Sequence, residues 1–331
     1  MDMQRRKLGK LGAALATIAV VPPVFAQRDP AAGYPSRPIR LIIPFEPGGG
    51  TDIVGRVIGH KLSEAFGQPV VIENKPGGNG SIGANSVAKS APDGYTLTMV
   101  TGSLSVNVTL QGNKQPYDLL RDFVPVTQVT SQPYVLVVNP NLPVKTVADL
   151  IALAKAKPGT LNFGSSGTGG LSHLAGEMFA SLAKIKITHI PYKGGSPAMN
   201  DVVAGQIQML FSTRLQAHSL ISSGRLRALA VTTATRSLAA PELPTMQEAG
   251  VPGYEVAGWY GILAPAATPS AIVEKLNREI VKILKMPDVR EKMAADGSDP
   301  VGNTSAQFGA HMRTEVEKWR RVIQDAGIAI G

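Results

Sequence analysis

The chain has 331 residues, 44% hydrophobic and 17% charged, a composition suited to a globular protein with one large core or two. Cysteine is absent, which excludes disulfides, thiolate nucleophiles and cysteine-bound metals. The formal net charge is +9, yet aromatics make up only 5% and no basic run follows residue 10, so the chain carries no nucleic-acid footprint.

The N-terminus sets the address. Residues 1–10 carry Arg5, Arg6, Lys7 and Lys10, and residues 11–21 form an apolar run too short to span a bilayer. Val24-Phe25-Ala26 then places small residues ahead of a cut before Gln27. The pattern predicts a signal peptide over residues 1–26 and export to the periplasm. The Arg5-Arg6 pair leaves the general and twin-arginine routes both open. Cleavage leaves 29 basic against 23 acidic residues, a net charge of +6 expected as solvated surface.

A leader to residue 37 precedes a β-branched strand over residues 39–43. The turn Pro44-Phe45-Glu46-Pro47-Gly48-Gly49-Gly50-Thr51-Asp52 follows. Beyond it Val54, Val57, Ile58, Leu62 and Phe66 fall at helical spacing. Thr51 or Asp52 is expected to cap that helix and Gly67 to end it. Such a strand, glycine turn and helix N-terminus favours an anion. The glycines admit a close ligand, and the first-turn N–H groups and the dipole attract negative charge.

The arrangement returns along the chain. A strand over residues 69–75 leads to the glycine loop 76–83 and a small-residue helix through Ala84, Val87 and Ala88. A third strand over 95–101 ends in Thr101-Gly102-Ser103. Residues 104–123 show no clear period, and residues 124–138 read as two extended runs broken at Ser131-Gln132-Pro133. Thr146 caps a helix over 147–156. A short strand at 161–163 feeds Gly164-Ser165-Ser166-Gly167-Thr168-Gly169-Gly170, the densest polar-glycine loop, before a helix faced by Leu171, Leu174, Met178 and Leu182.

A strand over 185–190 passes through Pro191-Tyr192-Lys193-Gly194-Gly195 to a helix capped by Ser196 with Pro197 at its first position. Strands over 207–211 and 226–232 flank a helix through Leu215, Leu220 and Ile221. Residues 256–263 read extended, and the tail is helical over 268–284, 287–295 and 305–326. The alternation predicts an α/β protein with parallel sheets covered on both faces and right-handed crossovers. The ligand site is expected at the carboxyl ends of the strands.

Familiar catalytic signatures fail on inspection. A P-loop needs a lysine and a hydroxyl after its glycines, and the first turn has Asp52 there instead. Gly78-Asn79-Gly80-Ser81-Ile82-Gly83 fits a dinucleotide fingerprint, but Val100-Thr101-Gly102-Ser103 offers no acid to hold a ribose. Residues 164–168 fail the nucleophile elbow because Thr168 stands where glycine is required, and the order Ser166, His173, Asp201 is not that of the α/β-hydrolases. The five histidines form no metal signature. No catalytic residue, cofactor or metal is expected. What remains is a set of helix N-termini with hydroxyl donors, which is chemistry for binding a carboxylate.

The matching stretches run through residues 34–52, 69–78, 91–97 and 164–177, Pro191-Tyr192-Lys193-Gly194, and residues 227–232 and 249–254. On these the chain resembles, over essentially its whole mature length, the periplasmic receptors of tripartite tricarboxylate transporters, the Bug-type binding proteins. The resemblance implies a type II periplasmic binding protein fold: two α/β domains with a ligand cleft between them. Residues 28–127 and 253–331 would form one domain and 128–252 the other, with crossings near 126–134 and 252–264. It implies one ligand wall of Phe45, Gly49, Gly50, Thr51, Asp52, Gly80 and Ser103. The facing wall would be Ser166, Gly167, Thr168, His173 and Tyr192, with Asp201 orienting polar groups.

The implied role is capture of a small organic anion by a monomer that delivers it to membrane transporter subunits. Presentation of the anion to a membrane sensor histidine kinase, and carboxylate-processing catalysis, stay open as rivals. Glu46, Asn79 and Ser212-Thr213-Arg214 depart from the usual pattern. Arg214 either pairs a second carboxylate or is solvated.

Overall fold

The computed structural model describes residues 31–192, 195–237, 240–295 and 297–328. The expected signal peptide and the pair Lys193-Gly194 lie outside the described residues. Three strand–turn–helix units open the fold: β1 (Ile39–Ile43) with α1 (Gly50–Phe66), β2 (Val70–Asn74) with α2 (Ser81–Ala88), and β3 (Thr96–Thr101) with α3 (Ser103–Leu110). The long strand β4 (Phe123–Val138) and α4 (Val147–Ala156) follow. Next come β5 (Asn162–Ser165) with α5 (Leu171–Ala183), β6 (Thr188–Pro191) with α6 (Gly195–Ala204), β7 (Met209–Thr213) with α7 (Arg214–Ser222), and β8 (Arg227–Val231). The chain closes with β9 (Ala257–Pro265), α8 (Ser270–Leu284), α9 (Pro287–Ala295), β10 (Asp299–Pro300) and α10 (Ser305–Asp325).

The strands run in the order β2-β1-β3-β9-β4-β7-β5-β6, with β8 and β10 also paired to β4. The outer pairs β1–β2, β1–β3, β5–β6 and β5–β7 are parallel. The centre is antiparallel, since β9 opposes both β3 and β4, and β4 opposes β7 and β8. This corrects the expectation of parallel sheets throughout: the two strands that join the halves run against their neighbours. In β1, Ile39, Leu41, Ile42 and Ile43 are all buried, as in a strand covered on both faces.

Three local expectations are also corrected. Residues 103–110 are helical, although Leu104, Val106 and Val108 alternate with polar residues. Leu104, Ser105, Val106 and Asn107 are buried together, so packing forms a helix where the sequence shows no clear period. Residues 123–138 are one strand rather than two. Phe123 to Pro133 pair with β9 and Tyr134 to Val138 with β7, so the chain changes partners where Pro133, which has no N–H to donate, is tolerated. The third correction concerns caps. The N-cap of α1 is Gly49, not Thr51 or Asp52, and Ser196 lies inside α6.

Thr232 ties the point where β4 changes partners to the chain entering β9. Its N–H donates to the Tyr134 carbonyl (2.9 Å), and its carbonyl accepts from Val256 N–H (2.9 Å). Its hydroxyl accepts from Tyr134 N–H (3.0 Å) and donates to the Tyr134 carbonyl (3.0 Å). Helix α10 contributes to two core clusters. Phe308 and Met312 pack with Val100, Leu104 and Trp259, whereas Trp319 and Ile323 pack with Leu174, Phe211 and Tyr254.

Candidate functional site

Helices α1, α2, α3 and α5 begin at the carboxyl ends of their strands. Their N-caps are Gly49, Gly80, Gly102 and Gly170, and none receives a side-chain cap. By contrast, Thr146 with Asp149 on α4 and Thr304 with Gln307 on α10 form complete capping boxes. The cap residues of these four helices offer no side-chain acceptor, although Asp52, Ser105 and His173 N–H turn back to the Gly49, Gly102 and Gly170 carbonyls, Ile82 N–H reaches the Gly77 carbonyl and Ser103 N–H reaches Thr101 Oγ1. The N–H groups that remain, with the helix dipoles, leave these ends partly positive, which favours an anion.

The first wall is built on Asp52, which is 3% exposed. One carboxylate oxygen accepts from Gly48 N–H (2.9 Å) and from Arg56 Nε (2.9 Å), and the other from Asn74 Nδ2 (2.9 Å). Asn74 Nδ2 also donates to the Phe45 carbonyl (3.0 Å). Burial alone would raise the Asp52 pKa, but the bonds from Arg56, Gly48 and Asn74 outweigh it and hold the carboxyl below its ordinary value. Asp52 thus faces inward and fixes the loop, with Thr51 buried beside it and Gly49 and Gly50 less covered. Gly80, at φ 92°, packs on the Phe45 ring, where an added Cβ would come within 3.1 Å of Cζ, so only glycine serves there. Asn79 donates to Asn107 Oδ1 (3.0 Å), tying that loop to α3, and Ser103 Oγ bonds Thr101 Oγ1.

The second wall rests on a histidine stack. Gly169 N–H donates to His173 Nδ1 (3.0 Å), so His173 carries its proton on Nε2, which faces Glu177 Oε1 at 3.4 Å. The His173 and His189 rings stack with centroids 3.8 Å apart. His189 Nε2 bonds Ser165 Oγ (2.6 Å), and Ser165 Oγ in turn accepts from Gly167 N–H (3.1 Å). Ser172 Oγ accepts from Ser166 N–H (2.9 Å). His173 therefore shapes the 164–170 loop from below, while the Ser166 and Thr168 side chains are exposed on it. Tyr192 donates to Asp201 (2.6 Å), so Asp201 orients the tyrosine. Burial first, and then Asp201, push the Tyr192 hydroxyl up to about 12.

The stack predicts an acid-labile loop. Burial, and then His173, lower the His189 pKa to about 4, with Glu177 opposing. Below about 6.5, the ordinary histidine value, the unfolded chain takes up a proton that the folded chain refuses. Stability should therefore fall as pH drops from about 6.5 to 4, then level off. The loss is of the order of 2 kcal/mol, less than for a dry site because the ring is only half-buried. Urea unfolding at neutral and acid pH should show a shallower acid slope for His189→Gln than for wild type. Equal slopes would mean that the stack does not hold the ring neutral.

A cavity of about 130 Å³ opens beside this wall, lined by Tyr134, Ser166, Ser172, Gly195, Ser212, Thr213 and Gln216 among others. Arg214 does not reach it: its side chain lines a separate groove with Leu215, His218 and Gly297, near enough to Asp299 to affect that carboxyl. Glu46 is exposed on the first loop. The structure thus gathers Phe45, Gly49, Gly50, Thr51, Asp52, Gly80 and Ser103 at one set of strand ends, and Ser166, Gly167, Thr168, His173, Tyr192 and Asp201 at the other. Gly169 of the second set packs on Leu110 of α3. Sequence reasoning missed Asn74, Ser172, Tyr134 and His189. Only Asn74, at a strand end before a glycine loop, carried a readable signal.

A mixed sheet of this order, changing hands at two crossings with open helix ends on both sides, is the architecture of periplasmic solute-binding proteins. A model of the tripartite tricarboxylate transporter family receptor matches residues 54–328. The chain is similar to the protein BugT of Bordetella pertussis, with 39% identity over 324 residues, 97% of this chain and 98% of BugT. An R. palustris protein solved with adipate shares 38% identity at a TM-score of 0.74, over 89% of this chain and 99% of that one. MatC from Rhodopseudomonas palustris, solved with bound malate, shares 30% identity at a TM-score of 0.69, over 88% and 100%. The chain belongs to the tripartite tricarboxylate transporter receptor family.

Proposed function

We propose that this protein is a periplasmic receptor that captures a small organic carboxylate and delivers it to the membrane subunits of a tripartite transporter, without catalysis. The observation that carries the reading is the set of four glycine-capped helix N-termini gathered at the strand ends without side-chain caps. The relatives solved with adipate and malate support the same ligand class. In this reading residues 28–127 and 253–331 form one domain and 128–252 the other, α10 braces both, and the ligand sits between the two loop sets. Closure bends the chain at the crossings.

The test is a thermal-shift screen of the mature protein against a carboxylate panel, followed by calorimetry. An acid at 100 times its dissociation constant should add about 2.7 kcal/mol of stability. Thr168→Val removes an exposed hydroxyl that has no partner among the described residues, and it should weaken that binding by about 1–3 kcal/mol. Wild-type affinity in this variant would remove Thr168 from the site. Ligand recovered chemically changed would favour an enzyme instead.

A further inference from the structure

We infer that Tyr134 is a ligand-contacting residue whose hydroxyl donates to a second oxygen function on the bound acid, so that the site selects hydroxy acids and diacids over plain monoacids. The inference rests on the receptor reading and adds the ligand's far end to it. Tyr134 is the residue at which β4 leaves β9 for β7. Its backbone is fully engaged by Thr232, and its side chain lines the 130 Å³ cavity. The ring edge lies against β9, where a Cβ built at Gly258 would be in ordinary contact with Tyr134 Cε2 at 3.5 Å.

The Tyr134 hydroxyl makes no hydrogen bond to any described residue. Burial, and then Tyr260, push it up to about 12, so at neutral pH it is a donor. The rest of the lining is neutral: the hydroxyls of Ser166, Ser172, Ser212 and Thr213, and the Gln216 amide. Ser172 and Ser212 already hold protein partners. A partly buried donor with nothing to receive it is a group that a ligand oxygen satisfies. The cavity is close in size to the ~150 Å³ that admits a benzene ring, so it takes a short arm rather than a second ring system. The residue that touches this arm is also the residue at the crossing, so occupancy acts on the hinge directly.

Calorimetry on wild type and Tyr134→Phe tests this with malate and adipate, and with butyrate and hexanoate as length-matched acids lacking the second oxygen function. Tyr134→Phe should weaken malate or adipate binding about tenfold, leave the plain acids unchanged, and leave the melting temperature of the unliganded protein unchanged, since no internal bond is lost. Equal affinity in the two proteins for a diacid that wild type binds would overturn the Tyr134 assignment alone, as would a matching loss for the plain acids or a lowered melting temperature. Wild type binding none of the four would overturn the ligand class, and the receptor reading would then rest on the wider panel.

Discussion

Glu315→Ala should destabilise the protein by about 3–5 kcal/mol, the usual result of breaking a buried charged network from one side. Glu315 lies on α10 and is 3% exposed. One of its oxygens accepts from Trp259 Nε1 (3.2 Å) and from Trp319 Nε1 (3.0 Å). The other pairs with Lys318, whose ammonium also donates to the Glu255 carbonyl (3.2 Å) and sits 4.6 Å over the Trp319 ring. Trp259 packs with the first-half cluster and Trp319 with the second. Removing the carboxylate therefore leaves two indole N–H groups without their acceptor and Lys318 without its counter-charge. Glu315→Gln, which keeps one acceptor and the shape, should lose less. Urea denaturation decides it: a Glu315→Ala midpoint equal to wild type would show that the carboxylate holds nothing.

Asp52→Ala should lower stability by about 2–4 kcal/mol and weaken carboxylate binding at least tenfold. It leaves Gly48 N–H, an Asn74 amide hydrogen and Arg56 without their acceptor, so the 44–50 turn loses what fixes it over the α1 N-terminus. Because the carboxyl pKa is held below its ordinary value, its contribution is present above about 3.9. That contribution fades as pH falls through the lower folded value. Asp52→Ala should accordingly abolish that part of the acid unfolding profile. A variant with wild-type affinity and stability would mean that the turn is shaped by its glycines alone.

Residues whose partners lie nearby in sequence were legible, and residues whose partners are distant were not. The strand over 39–43 and the helix over 50–66 follow from β-branching and 3.6-residue spacing, and Thr146 declares its capping box three residues ahead. Helix α3 was hidden because Ser105 and Asn107 are buried polar residues, which blurs the apolar face of the helix. Continuity of β4 was hidden by Pro133, which is harmless only because the strand changes partners there. At the site, the glycine loops announced an anion pocket. The inward turn of Asp52 depends on Asn74, 22 residues away, and the role of His173 depends on His189 and Gly169. Tyr134 reads as an ordinary strand aromatic, and Glu315 as one more surface acid of an amphipathic helix.

The chain has only two tryptophans, and both lean on the Glu315 carboxylate. The molecule's tryptophan emission therefore arises from one buried spot where β9 meets α10. Gly102, the N-cap of α3, donates its N–H to the Trp259 carbonyl (3.1 Å), so the end of α3 and this indole share one strand. If the proposed closure bends the chain there, a titration followed by tryptophan emission should read that bending rather than pocket occupancy. A dissolved quencher should reach neither buried ring in the folded protein.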